Sequence, residues 1–222
     1  MLLESGEIET LLCKDAPGIQ LTTEAERAES LDALLSIRPS GDMWVFGYGS
    51  LIWNPAIRTV ERRTARINGW HREFCLSMPA GRGSPDRPGL ALALDVGGSC
   101  SGTAYRIAED DIKTELSLLW RREMLCGAYI PRWVEVLNQY GTPFGNAITF
   151  TIDSTSGHYA GGLPMDSITE RLATAAGSLG SSADYLFRTR DGLRASGLAD
   201  CDIELLATCV ETLQAQRDCW QL

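Results

Sequence analysis

Between Met43 and Asp153 the chain sets six short runs of strand character around one amphipathic helix, and no other feature restricts its fold as much. The runs cover residues 44–46, 66–78, 90–96, 102–107, 133–137 and 146–152. A Gly-Gly pair in the stretch VGGS, at Gly97 and Gly98, has the signature of a hairpin turn between the third and fourth runs. The polar stretch GRGSPDRPG, residues 81–89, reads as a flexible loop: either the rim of a pocket or a plain surface connection. The interrupting helix spans about residues 109–125, with acidic residues at its positive end and Gly127 available to stop it. Further helices are expected near 166–176, 183–195 and 203–217. Residues 1–42 read as an N-terminal helical extension, with a helix at 23–37 whose Leu31, Leu34 and Leu35 pack on the body. Residues 43–222 form the main domain. The expected class is α+β, a small mixed or antiparallel β-barrel with surrounding helices.

Composition removes several function classes. A net charge of −9 with no Lys/Arg cluster argues against nucleic acid or an anionic membrane as partner. The N-terminus is acidic and lacks a signal-peptide pattern, and no stretch approaches the about 18 apolar residues of a membrane span. The cysteines (Cys13, Cys75, Cys100, Cys126, Cys201, Cys209 and Cys219) are odd in number and contain no Cys-x-x-Cys. They read as free thiols in a reducing cytoplasm, with neither a zinc site nor a disulfide framework. Two histidines, His71 and His158, leave little material for a histidine metal site or a triad. Oligomeric state is not encoded in any pattern here.

The interrupting helix holds the most informative side chain. At 100° per residue, Ile112, Leu116, Leu119, Trp120 and Met124 form its apolar stripe, and Glu123 falls near the middle of that stripe. Arg121 and Arg122 are expected to point elsewhere. A glutamate turned toward a core must be paired, protonated or lining a pocket. Either it pairs with an arginine such as Arg72 or Arg106, or it is a general acid/base with a raised pKa. Position alone does not choose.

The second unusual stretch is GYGSLIWNP, residues 47–55. It lacks the closing Gly-Lys-Ser/Thr of a P-loop and the helix that should follow, the third glycine of a dinucleotide fingerprint, and the flanking glycines of a nucleophile elbow. Two glycines can let backbone N–H groups converge on a carboxylate or a developing oxyanion. Equally, they can serve a strand end or bulge that needs glycine for its backbone angles.

The two stretches together resemble a known family. WVFGYGSLIWNP, followed by GWHREFC, WRREMLCGAY and ADYLF, resembles the ChaC family of glutathione-specific gamma-glutamylcyclotransferases, from about Trp44 to the C-terminal helices. The resemblance implies a cofactor-free, metal-free enzyme that converts glutathione to 5-oxoproline and Cys-Gly. It implies that Glu123 is the catalytic glutamate and that the loop of Gly47, Tyr48, Gly49, Ser50, Leu51 and Ile52 holds the gamma-glutamyl group. Arg72 and Tyr185 are further candidate substrate contacts, each with a competing reading: a surface cation for Arg72, a core residue for Tyr185. Tyr105 and Tyr129 are expected to pack and His158 to face solvent. Leu90 stands where this family pattern leads one to expect a longer or basic residue, which bears on how the Cys-Gly half is held. Two other functions stay open: a non-catalytic gamma-glutamyl-binding regulator of cation transport, and a cyclotransferase for other gamma-glutamyl compounds.

Overall fold

The computed structural model describes residues 7–219. Five strands close a barrel: β1 (Met43–Gly47), β2 (Glu61–Met78), β3 (Gly89–Ile107), β4 (Tyr129–Leu137) and β5 (Pro143–Ile152), in the order β1-β3-β2-β4-β5. Neighbours run antiparallel except at β5, which pairs in parallel with β1 (Trp44 with Ala147, Val45 with Ile148) and, at Leu94 with Thr151, with β3. That parallel seam closes the sheet and makes it mixed, and closure removes the exposed edges of an open sheet. The barrel interior is apolar, with Phe46, Ile67, Leu90, Leu92 and Leu94 almost fully buried.

Helices cover the outside: α1 (Glu7–Asp15), α2 (Glu24–Ser36), α3 (Ser50–Trp53), α4 (Ile112–Glu123), α5 (Met165–Thr174), α6 (Ser182–Ala195) and α7 (Cys201–Cys219). A two-stranded ribbon of β6 (Ala176–Gly177) and β7 (Gly180–Ser181) precedes α6. Helix α2 begins with a full capping box, Thr23 and Glu26 each bonding the other's backbone amide. Its Leu31 and Leu34 are buried against Leu116 and Trp120 of α4. Among the described residues no helix is long and apolar enough to cross a membrane.

Four expectations change. The third and fourth runs are one strand, β3, and Gly97-Gly98 is no hairpin turn. Both glycines have positive φ (106° and 63°) and sit opposite the single residue Gly69 (φ 83°), between the pairs Asn68↔Ser99 and Trp70↔Val96. Two residues facing one is a bulge, which bends a long ladder without reversing it. The reversal lies in residues 81–89, since Met78 pairs with Gly89. That loop is firmly packed at its base: a Cβ on Gly83 would lie 2.2 Å from the Gly89 amide nitrogen. A single helical turn, α3, follows the glycine stretch where no helix was expected. Helix α1 also escaped the reading, although Ile8, Leu11 and Leu12 have helical spacing.

Candidate active site

Strand β1 delivers the glycine stretch to the end of the barrel. Neither Gly47 nor Gly49 has a positive φ, so neither is there for a left-handed backbone. Close approach is the reason. A Cβ on Gly47 would lie 2.9 Å from that of Leu51, and one on Gly49 would lie 3.1 Å from the Tyr185 hydroxyl. The turn is braced on several sides. Tyr48 donates to Phe150 O (2.9 Å), Tyr105 donates to Leu51 O (3.0 Å), and Arg72 Nε donates to Tyr48 O (2.6 Å). At the start of the short helix α3 the Ile52 amide donates to Gly49 O (3.0 Å), closing the turn.

Helix α4 brings the carboxylate. Ile112, Leu116, Leu119, Trp120 and Met124 are all buried, and Glu123 follows the same face with its side chain 13% exposed. Arg122 Nε lies 3.0 Å from Glu123 Oε1, but in a geometry that makes no hydrogen bond; Oε1 is buried and without a hydrogen-bond partner. Burial pushes the Glu123 pKa up, and the Arg122 charge offsets this only in part. Arg72 and Arg106 are not its partners. Arg106 pairs with Glu61, and Arg72 pairs with Asp200 while donating to Tyr48 O and Ser101 O. Nor does Arg122 point away: its Nη2 donates to Ser50 Oγ (2.6 Å) and its Nη1 to Asn54 O, tying α4 to α3.

Glycine turn and carboxylate share one site. Tyr48, Gly49, Ser50, Leu51, Glu123, Tyr129 and Tyr185 line a recess of about 20 Å³, room for one small polar group. The recess adjoins a cleft of about 730 Å³ that also touches Ser50, Glu123, Tyr129 and Tyr185. Burial raises the pKa of the phenols of Tyr48, Tyr129 and Tyr185, and the Glu123 charge adds to it. All three therefore stay protonated. Tyr129 donates to Leu92 O (3.0 Å), and the Leu92 amide donates to the Tyr185 hydroxyl at 3.4 Å.

Gly47 and Ile52 line neither cavity; Gly47 packs on Leu51 and Tyr105, and Ile52 lies near Gly192. Arg72 also lies outside both, and it is no surface cation: its side chain is 5% exposed and holds Tyr48 from behind. Tyr129 and His158, read as a packing residue and a solvent-facing one, both line the cleft. So do Arg82, Arg122 and Arg188, and with them Ile8, Leu12 and Ile19 of the N-terminal extension. No periodicity flags an arginine in a glycine-rich loop; Arg122 could have been suspected from its place beside Glu123.

The side chains with metal-ligand chemistry lie elsewhere. Ligand atoms of Glu73, Cys75 and Asp95 come within 4.8 Å of one another, and none of the three residues lines the cleft. Asp95 already accepts from Tyr159 (2.7 Å), and burial with the two carboxylates pushes the Cys75 thiol up to about 12.

Comparison with known proteins identifies the family. The sequence model of the family described as ChaC-like protein matches residues 43–213. The chain is 41% identical over 209 residues to a glutathione-specific gamma-glutamylcyclotransferase of Escherichia coli (strain K12), covering 92% of this chain and 90% of that protein. It is 28% identical over 190 residues to the human glutathione-specific gamma-glutamylcyclotransferase 1, covering 82% and 85%. A crystal structure of a gamma-glutamylcyclotransferase specific to glutathione from yeast superposes with a TM-score of 0.70 at 21% identity, covering 78% of this chain and 97% of that one, a likeness of fold. With the family model spanning the barrel and most of the helical tail, the chain belongs to the ChaC-like protein family.

Proposed function

We propose that this protein is a glutathione-specific gamma-glutamylcyclotransferase that uses Glu123 as its acid/base. One observation carries the reading: Glu123 Oε1 is buried without a hydrogen-bond partner, at the mouth shared by the glycine turn and the cleft. The Arg122 charge 3.0 Å away makes no hydrogen bond to this oxygen, because its Nη atoms are given to Ser50 and Asn54, so the oxygen is left able to take a proton. The chemistry asks little else of the protein. The α-amine of the glutamyl arm attacks its own γ-carbonyl carbon, a C–N bond closes the five-membered ring, and the amide C–N bond to cysteine breaks. Glu123 takes the proton lost by the attacking nitrogen and returns it to the departing one. No water or cofactor is consumed. Holding the folded conformer is the main task, since well-oriented intramolecular reactions reach effective molarities of ~10⁵–10⁸ M. Tyr48, Gly49, Ser50, Leu51 and Tyr185 surround the place where the carboxylate or the oxyanion would lie. Gly47, Ile52 and Arg72 act behind them, by shaping and bracing the turn.

The test is direct: purified protein given reduced glutathione, without added metal or nucleotide, releases 5-oxoproline and Cys-Gly in equal amounts. Absence of both products would refute the reading. Binding without turnover would point instead to a non-catalytic regulator, and faster turnover of gamma-glutamyl-alanine to a broader cyclotransferase. The protein acts on a small molecule, not on nucleic acid or membrane, consistent with its net charge of −9. Its seven unpaired cysteines suit a reducing cytoplasm.

A further inference from the structure

We propose that Arg82 is a specificity-determining residue: it receives the terminal carboxylate of the Cys-Gly half of the substrate, on a wall completed by the N-terminal extension. This rests on the cyclotransferase reading above. The recess beside Glu123 is too small for more than one polar group of the glutamyl arm, so the dipeptide half extends into the cleft. Arg82 lines that cleft and not the recess, so it meets what projects outward. Its side chain is only 13% exposed. Its guanidinium lies 5.3 Å from the centre of the Tyr185 ring, and all its hydrogen bonds are made by Nη1, to Ser181 O (2.9 Å) and Asp184 (3.5 Å). Nε and Nη2 have no partner among the described residues. A largely buried guanidinium with two free donors suits a carboxylate, which takes such donors in pairs. Arg188, also in the cleft, is a weaker candidate: it is 58% exposed and its Nε is engaged by Asp184 at 3.0 Å.

The extension shapes this end of the site. Ile8, Leu12 and Ile19 give the cleft an apolar side, a fitting bed for a cysteinyl side chain. Asp15 accepts from the amides of Gly81 and Ser178 (2.8 Å each), fixing the residue next to Arg82. Thr22 bonds Met124 O (2.9 Å) and the Leu125 carbonyl, just past Glu123. Residues outside the family match thus hold both ends of the cleft.

The experiment compares kcat/KM for glutathione and for its glycine monoethyl ester, which lacks the terminal charge. The parent is expected to prefer glutathione by roughly ten- to a hundredfold, the worth of a charge-assisted hydrogen bond pair. Arg82→Gln should remove that preference by slowing glutathione alone, mainly through KM; Arg82→Lys should keep part of it; Arg188→Gln should keep the ratio. Equal losses on both compounds, or an unchanged preference in Arg82→Gln, would overturn the proposal, as would a preference lost in Arg188→Gln instead. If the parent releases no 5-oxoproline from either compound, the cyclotransferase reading fails by itself. Calorimetric binding of the same two compounds to the same variants then decides the role of Arg82.

Discussion

Replacing Glu123 by glutamine should uncouple activity from stability, because the two depend on opposite properties of this carboxylate. The substitution keeps shape and removes the charge. Without a proton acceptor the reaction should slow by ~10²–10⁴-fold, about 3–5 kcal/mol of barrier. Stability should move the other way. Burial raises the Glu123 pKa more than Arg122 lowers it, so the folded chain holds this proton more tightly than the unfolded one. A carboxyl with a raised folded pKa loses stability as pH climbs from the ordinary glutamate value to the raised one, by about 1.4 kcal/mol per unit of displacement. Glutamine carries no such cost. At pH 8 the variant should therefore melt at or above the parent, and the gap should narrow toward pH 5. The parent's kcat/KM should fall on acidification through a pKa above the usual carboxylate range, as the base becomes protonated; the variant should lack that limb. Product release by chromatography and thermal melts at both pH values make the test. Near-parental turnover would refute the assignment of Glu123. A variant that melts well below the parent at every pH would refute the burial argument.

Other consequences are as specific. Gly49→Ala meets the Tyr185 hydroxyl at 3.1 Å, so it should fold with a loss of stability of about 2 kcal/mol and lose most activity. Arg72→Ala leaves Asp200 unpaired and Tyr48 O unbraced; about 3 kcal/mol of stability should go, read by denaturant unfolding, because removing one partner strands the other. Burial tends to raise the Asp15 pKa, but its hydrogen bonds from Ser178 and Gly81 outweigh this and hold it low. Its contribution is therefore present above the ordinary carboxylate pKa and lost as pH falls through the lowered one. Asp15→Asn should make residues 7–22 more open to proteolysis at pH 7, and the difference from the parent should shrink as pH falls below the ordinary carboxylate value.

Local patterns settle what depends on neighbours in the chain. Helical spacing turns Glu123 inward because it shares the face of Ile112, Leu116, Leu119 and Trp120, and the structure keeps that face buried. The alternation of strands with one helix is enough for an α+β barrel, and the motif GYGSLIWNP with WRREM is enough for the family. The partners of those residues are another matter. The glycines at 97 and 98 carry a hairpin's composition yet form a bulge, because Gly69, nearly thirty residues away, faces them across the ladder. Arg72 looks like a surface cation until β2 is paired and Tyr48 O is found against its Nε. Arg82, Tyr129 and α1 reach the cleft only after the barrel closes and the 81–89 loop folds against Asp15. Sequence by itself determined which side chains were costly to bury and where glycine was required, since periodicity and sterics act over a few residues. Only the tertiary structure decided which distant groups meet them, since hydrogen bonds and charge pairing act over a few ångströms between segments that no pattern links.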